Sequence, residues 1–383
     1  MAAIYPVARA VEHAAGLAGV QPLRVFAVLW PLWQVEITAR VEDPAEYELL
    51  DSFVTRAVGQ AGLDTAAAVA GFLGLGERTV RGCVQYLMTV GHLTADGERL
   101  ELTPRGLRSM HDGRRYESKE VRQQLLFDRY TAGPFPRSHY ANAVTVLDRP
   151  EPSLDGVRGS RFTALFASTA FRPEIVDALV RRPDRTGYNV PAEIDRPRVD
   201  GVRDAWLPAY LVRTGQGLLA YTAASDGRDA FVEGLCRQAP EVTSALPDTP
   251  PEDAERRWEA WLRKEHGGGT LRRQPNGVWR GTLPASAFAA GNRRLASYVV
   301  HDELFLQLWC DDRALRRTAM RDRALRIAQS RDVDSRAALD RRLGDLGRQY
   351  EVEPSTVDDL RAHAGRTGQE DLLARLEALP ATS

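Results

Sequence analysis

The rhythm of hydrophobic and polar positions changes repeatedly along the chain, and each change predicts an element. Residues 3–19 carry apolar positions at helical spacing and predict a short amphipathic helix. From Arg24 to Val41, "RVFAVLWPLWQVEITARV" is rich in Val, Ile and Trp, and its second half alternates, which fits a strand or a hairpin. Asp43 then stands where an N-cap belongs, and Pro44 suits a first helical position. Leu49, Leu50, Phe53, Val54, Ala57 and Val58 follow at helical spacing, and Gly62 is the stop. A second helix starts from Asp64 in "DTAAAVAGFLGLG". A third, "GERTVRGCVQYLMTVGHL", has Val80, Val84, Leu87 and Met88 as its apolar stripe. Asp96-Gly97 marks a hairpin turn, and Thr103 caps a further helix with Pro104 behind it.

Beyond this point the pattern is less regular. Arg114 to Tyr140 mixes charges and aromatics, and "QQLLFDRY" fits strand or helix. "DRPEPSLDG", around Pro150 and Pro152, has the composition of a linker. "RPEIVDALVRR" is a helix with Pro173 near its start. Two strands join at Gly215-Gln216-Gly217, "RDAFVEGLCRQA" is helical, and "PDTPPEDAERRWEAWLRKEH" is a proline-rich loop running into an acidic-capped helix. Asn276-Gly277 and Asp302-Glu303 mark two more strand turns, and from Asp311 to Leu379 the pattern is nearly all helical with a break at "EVEPS".

The stretch with helices "LLDSFVTRAV", "TAAAVAGFLGL" and "GERTVRGCVQYLMTVGHL", followed by "ADGERLELTPRG", resembles the winged helix-turn-helix superfamily, in the style of MarR-like and ArsR-like bacterial regulators. The resemblance covers about residues 44–112. It implies that the third helix is a recognition helix and the hairpin a wing. Arg78, Thr79, Arg81 and Gln85 would then face DNA, with Arg99 on the wing and Arg105 and Arg108 just beyond it. The resulting expectation is an α+β chain: an N-terminal winged helix-turn-helix, a mixed α+β region and a helical C-terminal tail. Its divisions fall at an N-terminal extension over 1–43, the winged helix over 44–112, a connecting segment over 113–150, a mixed α+β domain over 151–310 and helices over 311–383.

Charge complicates a DNA role. The chain carries 51 basic and 52 acidic residues, and only Lys119 and Lys264 among the basic ones are lysines, so any phosphate contact is a guanidinium contact. Between Asp64 and Met110, five acids (Asp64, Glu77, Asp96, Glu98, Glu101) face five bases (Arg78, Arg81, Arg99, Arg105, Arg108), weak for a reader whose affinity rests on neutralising phosphates. A second basic feature runs from Asp311 to Gln349, with eleven Arg against seven Asp. Arg313, Arg316, Arg317 and Arg321 crowd its start, either as an anion-binding surface or as a solvated helix face.

Catalytic chemistry is thinly marked. The histidines do not pair at metal spacing, the glycines of "GFLGLGERTVRG" lack dinucleotide spacing, and neither a metal nor a cofactor is expected. Glu117 and Lys119 have the Glu-x-Lys form found in many nucleases, a three-residue pattern that chance often supplies. The cysteines, Cys83, Cys236 and Cys310, are far apart and suit a reducing compartment. The seven tryptophans lie mostly in apolar stripes, which predicts packing. The longest apolar run, Val25 to Trp33, is too short to cross a bilayer, so a cytoplasmic location without membrane association is expected. The functional expectation is a bacterial DNA-binding or DNA-complex protein, such as a transcription regulator, whose α+β region docks a partner, oligomerises or senses a ligand. The alternative is a non-enzymatic subunit of a DNA-maintenance or antiphage defence assembly, in which the winged helix binds protein.

Overall fold

The computed structural model describes residues 4–141, 144–154, 161–192, 194–289, 291, 294–330 and 333–380. It is a mixed α+β structure. In chain order the elements begin with α1 (Val7–Gly16), β1 (Pro22–Glu46), α2 (Leu49–Gly59), α3 (Ala66–Leu73), α4 (Glu77–Thr89), β2 (Leu93–Asp96), β3 (Arg99–Leu102), α5 (Pro104–Asp112) and β4 (Arg114–Asp128). Next come β5 (Thr163–Ala164), α6 (Glu174–Val180), β6 (Ile194–Thr214), β7 (Gly217–Tyr221), α7 (Ala230–Gln238), α8 (Pro240–Ala245) and α9 (Ala254–His266). The chain closes with β8 (Thr270–Arg273), β9 (Trp279–Thr282), β10 (Tyr298–His301), β11 (Leu304–Trp309), α10 (Arg313–Gln329), α11 (Arg336–Tyr350), α12 (Val357–Thr367) and α13 (Glu370–Ala378).

β1 organises the molecule. Its 25 residues span about 80 Å at roughly 3.3 Å each. The main sheet runs β4-β1-β6-β7, with β5 added in parallel beside Val28 and Leu29. Alternation along β1 feeds both faces. Phe26, Val28, Trp30 and Leu32 pack with Val232, Leu235 and Val242 of α7 and α8. On the other face Val25 and Leu29 meet Ala10, Val11 and Ala14 of α1, while Trp33, Val35 and Ile37 meet Val176 and Leu179 of α6.

β6 ends opposite Val41, where Ile194 is its last partner. β1 and β4 run on as a two-stranded ribbon, from Glu42 opposite Ser118 to Glu46 opposite Arg114. The segment from α2 to α5 sits on the end of this ribbon as a compact helical unit. Asp43 and Pro44 are therefore ribbon residues and not a helix start. The backbone before α2 is held by β4, and Glu48 takes the N-cap position. β4 also resolves the ambiguous "QQLLFDRY" as strand and draws 114–128 into the sheet, across the segment expected to be a connector.

A second sheet, β10-β11-β9-β8, pairs β11 with β9 in parallel and lies against α9 and the helices α10 to α13. Trp258, Leu262, Leu306, Leu308, Ala324, Leu343 and Leu360 share this core, which crosses the boundary expected at residue 310. The break at "EVEPS" separates α11 from α12 as expected. Asp155 and Gly156 of the linker stretch, Arg331 of the arginine-rich stretch, and Ala3 lie outside the described residues. Trp30, Trp33, Trp258 and Trp309 are buried, and Trp206, Trp261 and Trp279 are partly so, in line with packing roles. Among the described residues, no helix is long and apolar enough to cross a membrane.

Candidate interface on the helical unit

The unit's core is small and local. Val54, Ala57 and Val58 of α2, Val69 and Ala70 of α3, Val80, Cys83, Val84 and Leu87 of α4, and Leu93 and Leu100 of the hairpin meet at its centre. Thr65, one residue later than expected, caps α3 by accepting from the Ala68 amide at 3.2 Å. Gly62 and Gly91 take positive φ values of 68° and 76° and end α2 and α4. Thr103 caps α5 through the Gly106 amide at 3.1 Å. The glycine of "LTPRG" has its own steric reason: a Cβ on Gly106 would lie 2.1 Å from the His92 carbonyl oxygen.

α4 buries one side and leaves the other open. Arg78, Thr79, Arg81 and Gln85 are all exposed on its outer side. Arg81 lies against Glu77 one turn earlier, with Nε and Nη2 donating to Oε1 at 2.9 and 2.6 Å. Among the described residues no carboxylate reaches Arg78 within ion-pair distance. Arg99 is exposed on β3, near Asp64 at 3.9 Å and Glu101 at 3.5 Å. Arg105 and Arg108 lie elsewhere, at the root of the unit. Both clasp Glu42 of the ribbon at 2.9 Å, Arg105 also donates to the Val90 carbonyl at 3.3 Å, and Arg108 stacks 4.0 Å over the Tyr116 ring. The structure thus groups four of the expected residues on α4, places one on the hairpin and uses two as anchors.

The same root holds a buried histidine. His92 Nε2 lies 2.8 Å from the Tyr116 carbonyl of β4 and Nδ1 lies 3.2 Å from the hydroxyl of Tyr47, the residue that follows β1, so it ties the unit to the ribbon's end. Burial lowers its pKa, opposed by the bond to Tyr116 and aided by Arg105 and Arg115. A polar chain the sequence did not reveal runs beside it. Cys83 donates to Asp51 at 3.1 Å, Arg115 bridges Asp51 at 3.4 Å and Glu117 at 2.8 Å, and the Tyr86 hydroxyl donates to Glu117 at 3.2 Å. Burial and then Asp51 push the Cys83 thiol up to about 12, which leaves it protonated and unreactive. Lys119 pairs with Asp43 at 2.8 Å, so Glu117 and Lys119 serve separate partners. Among the described residues no three His, Cys, Asp or Glu side chains cluster to hold a metal.

Two surface properties qualify the α4 face. Residues 47–112 hold eight acids and six bases, a net of −2. They also hold most of the molecule's uncovered large apolar side chains: Leu49, Phe53, Phe72, Leu75, Tyr86, Met88 and Leu107, with only Phe166 and Val202 outside among the described residues. Met88, expected in the inner stripe of α4, is 40 % exposed, and Leu49 and Phe53 point outward from α2; Cys83 occupies the inner stripe instead.

The second basic feature lies on α10, whose inner side is Ala319, Met320, Ala324 and Ala328. Arg313, Arg317 and Arg321 are exposed in one row. Arg316 leaves that row: its guanidinium lies 4.5 Å from the centre of the buried Trp309 ring, which also carries Arg280 at 3.8 Å. Compared with protein-family models, curated proteins and solved structures, the chain matches none.

Proposed function

We propose that residues 44–112 form a winged helix-turn-helix and that the chain is a bacterial DNA-binding or DNA-complex protein. In this reading α4 is the recognition helix, β2–β3 is the wing, and the larger α+β region docks a partner, oligomerises or senses a ligand. The carrying observation is the open side of α4, where Arg78, Thr79, Arg81 and Gln85 stand together opposite a fully packed inner stripe. Arginine forks match the guanine edge and glutamine matches the adenine edge, so this set offers sequence discrimination in a major groove. Gel shifts over genomic fragments test the reading. Arg78→Ala and Gln85→Ala are each expected to weaken binding to the preferred site by about 1–3 kcal/mol. Unchanged binding by the double variant removes α4 from recognition.

A second reading has its own support in the net charge of −2 and the uncovered apolar side chains. The winged helix is then a protein-interaction module of a non-enzymatic subunit in a DNA-maintenance or antiphage defence assembly. The isolated chain would bind DNA weakly and without sequence preference. A nanomolar, sequence-specific footprint by the isolated chain at physiological salt rules this reading out.

A further inference from the structure

We propose that the first turns of α10 are a binding surface for a nucleic-acid phosphate backbone, with Arg313, Arg317 and Arg321 as its contacts. These residues recur every four positions along the first turns of the helix and all three are exposed, flanked by exposed Ala314 and Thr318. Each step of four rises about 6 Å, so three guanidinium groups lie along about 12 Å of one line. Among the described residues no carboxylate lies within ion-pair distance of any of the three. Four nearby arginines differ. Arg323, two residues further along α10, grips Glu12 at 3.0 and 2.5 Å; Arg336 and Arg361 share Asp358 at 3.3 Å; and Arg348 pairs with Asp345.

The local electrostatics work against the free helix. Like charges at this spacing repel, and Arg313 stands in the first turn, at the positive end of the helix dipole. Of the two acids adjacent to this row in sequence, Asp312 and Asp322, Asp312 is turned onto the helix and accepts from the amides of Ala314 and Leu315 at 2.9 and 3.1 Å. An added line of anions relieves that repulsion. Guanidinium forks meet phosphate oxygens two at a time, which suits a polyanion of regular spacing.

The surface is also held in place. Ala319, Met320, Ala324 and Ala328 of the same helix are buried in the C-terminal core and fix it there. Arg316 rests on the Trp309 ring beside Arg280, and Arg280 is fixed by Gln307 at 2.8 Å and Glu351 at 2.7 Å. A protein partner is less well served here, since stable protein interfaces centre on apolar or aromatic anchors and α10 carries none of the well-exposed large apolar side chains. Phosphates need no such anchor. The proposal stands on α10 alone and survives or fails independently of α4.

The test uses the full chain, a duplex of mixed sequence and roughly 30 base pairs, and anisotropy titrations from about 50 to about 200 mM NaCl. Changing Arg313, Arg317 and Arg321 together to Gln is expected to lower the steepness of log K against log salt by about 2.7, at about 0.9 per phosphate contact. The melting temperature should hold or rise, and the triple Lys variant should keep the slope. Arg78→Ala, in parallel, should leave the salt slope contributed by α10 intact even where it changes sequence preference. An unchanged slope in the Gln variant overturns the proposal, as does a wild-type chain that fails to bind the duplex. Early melting of the Gln variant, with normal binding per folded molecule, makes these arginines structural and overturns it equally.

Discussion

α4 and α10 both turn arginines toward solvent, but they surround them differently. On α4 the cations stand among Thr79 and Gln85, Arg81 is drawn back to Glu77, and the unit around them is net negative. On α10 three arginines share one row, and among the described residues no carboxylate lies within ion-pair distance of them. A mixed set of hydrogen-bonding side chains can tell one base or one partner from another, whereas a row of one charge can only attract. The two helices also rest on unlike foundations. α10 lies in the large C-terminal core, while α4 depends on a small core at the end of a ribbon, joined through His92 and the Glu42 clasp.

The sharpest way to separate the two regions is to empty the smaller core. Leu87 is fully buried on α4, and Leu87→Ala should cost about 2–5 kcal/mol. Hydrogen exchange is expected to accelerate across 47–112 while residues 25–37 of β1 and the α10 region stay protected. Equal loss of protection throughout would show that the tip and body unfold as one.

Gly106→Ala addresses the same foundation with two effects of opposite sign. Helix propensity alone favours Ala by about 1 kcal/mol. The added Cβ would meet the His92 carbonyl at 2.1 Å, a backbone atom that cannot swing away, so the clash should win and destabilise the unit by about 1–3 kcal/mol. A stabilised variant would mean that α5 does not press on the His92 turn.

The joint itself should respond to pH. Burial lowers the His92 pKa, so the unfolded chain takes up its proton more readily than the folded unit. The stability His92 contributes is present above about pH 6.5, the unfolded value, and is lost as pH falls below it, at no more than about 1.4 kcal/mol per pH unit. His92→Gln should flatten the acid side of the unit's melting profile. His13, whose pKa is also lowered, first by burial and then by Arg228, sits on α1 in the body, so His13→Gln should leave the unit's profile alone.

The elements with strong local signals were readable from the chain. The α2–α5 periodicities, the Asp96-Gly97 and Gly215-Gln216 turns, and the helices after Asp311 follow from spacing and turn chemistry. β4 was not readable. Its first five residues lie on the two-stranded ribbon and the next five are exposed or half-buried, with six charged side chains spread over the first nine, so no apolar period marks them. Asp43 and Pro44 mimicked a helix start because a cap pattern is local, and pairing with a strand some seventy residues away overrode it. The exposure of Arg78, Thr79, Arg81 and Gln85 on α4 was legible, but the outward turn of Met88 and the fates of Arg105, Arg108 and Arg316 were not. Their partners Glu42 and Trp309 are brought to them by the fold; no sequence spacing announces them.

The most direct test of the α4 assignment is selection of bound duplexes from a random-sequence pool by the full chain, carried out in parallel with the Arg78→Ala, Gln85→Ala double variant and with the α10 triple Gln variant. The wild type should enrich one motif, the α4 variant should lose it, and the α10 variant should keep it at reduced affinity. Enrichment of the same motif by the α4 variant, at unchanged affinity, would remove α4 from base recognition.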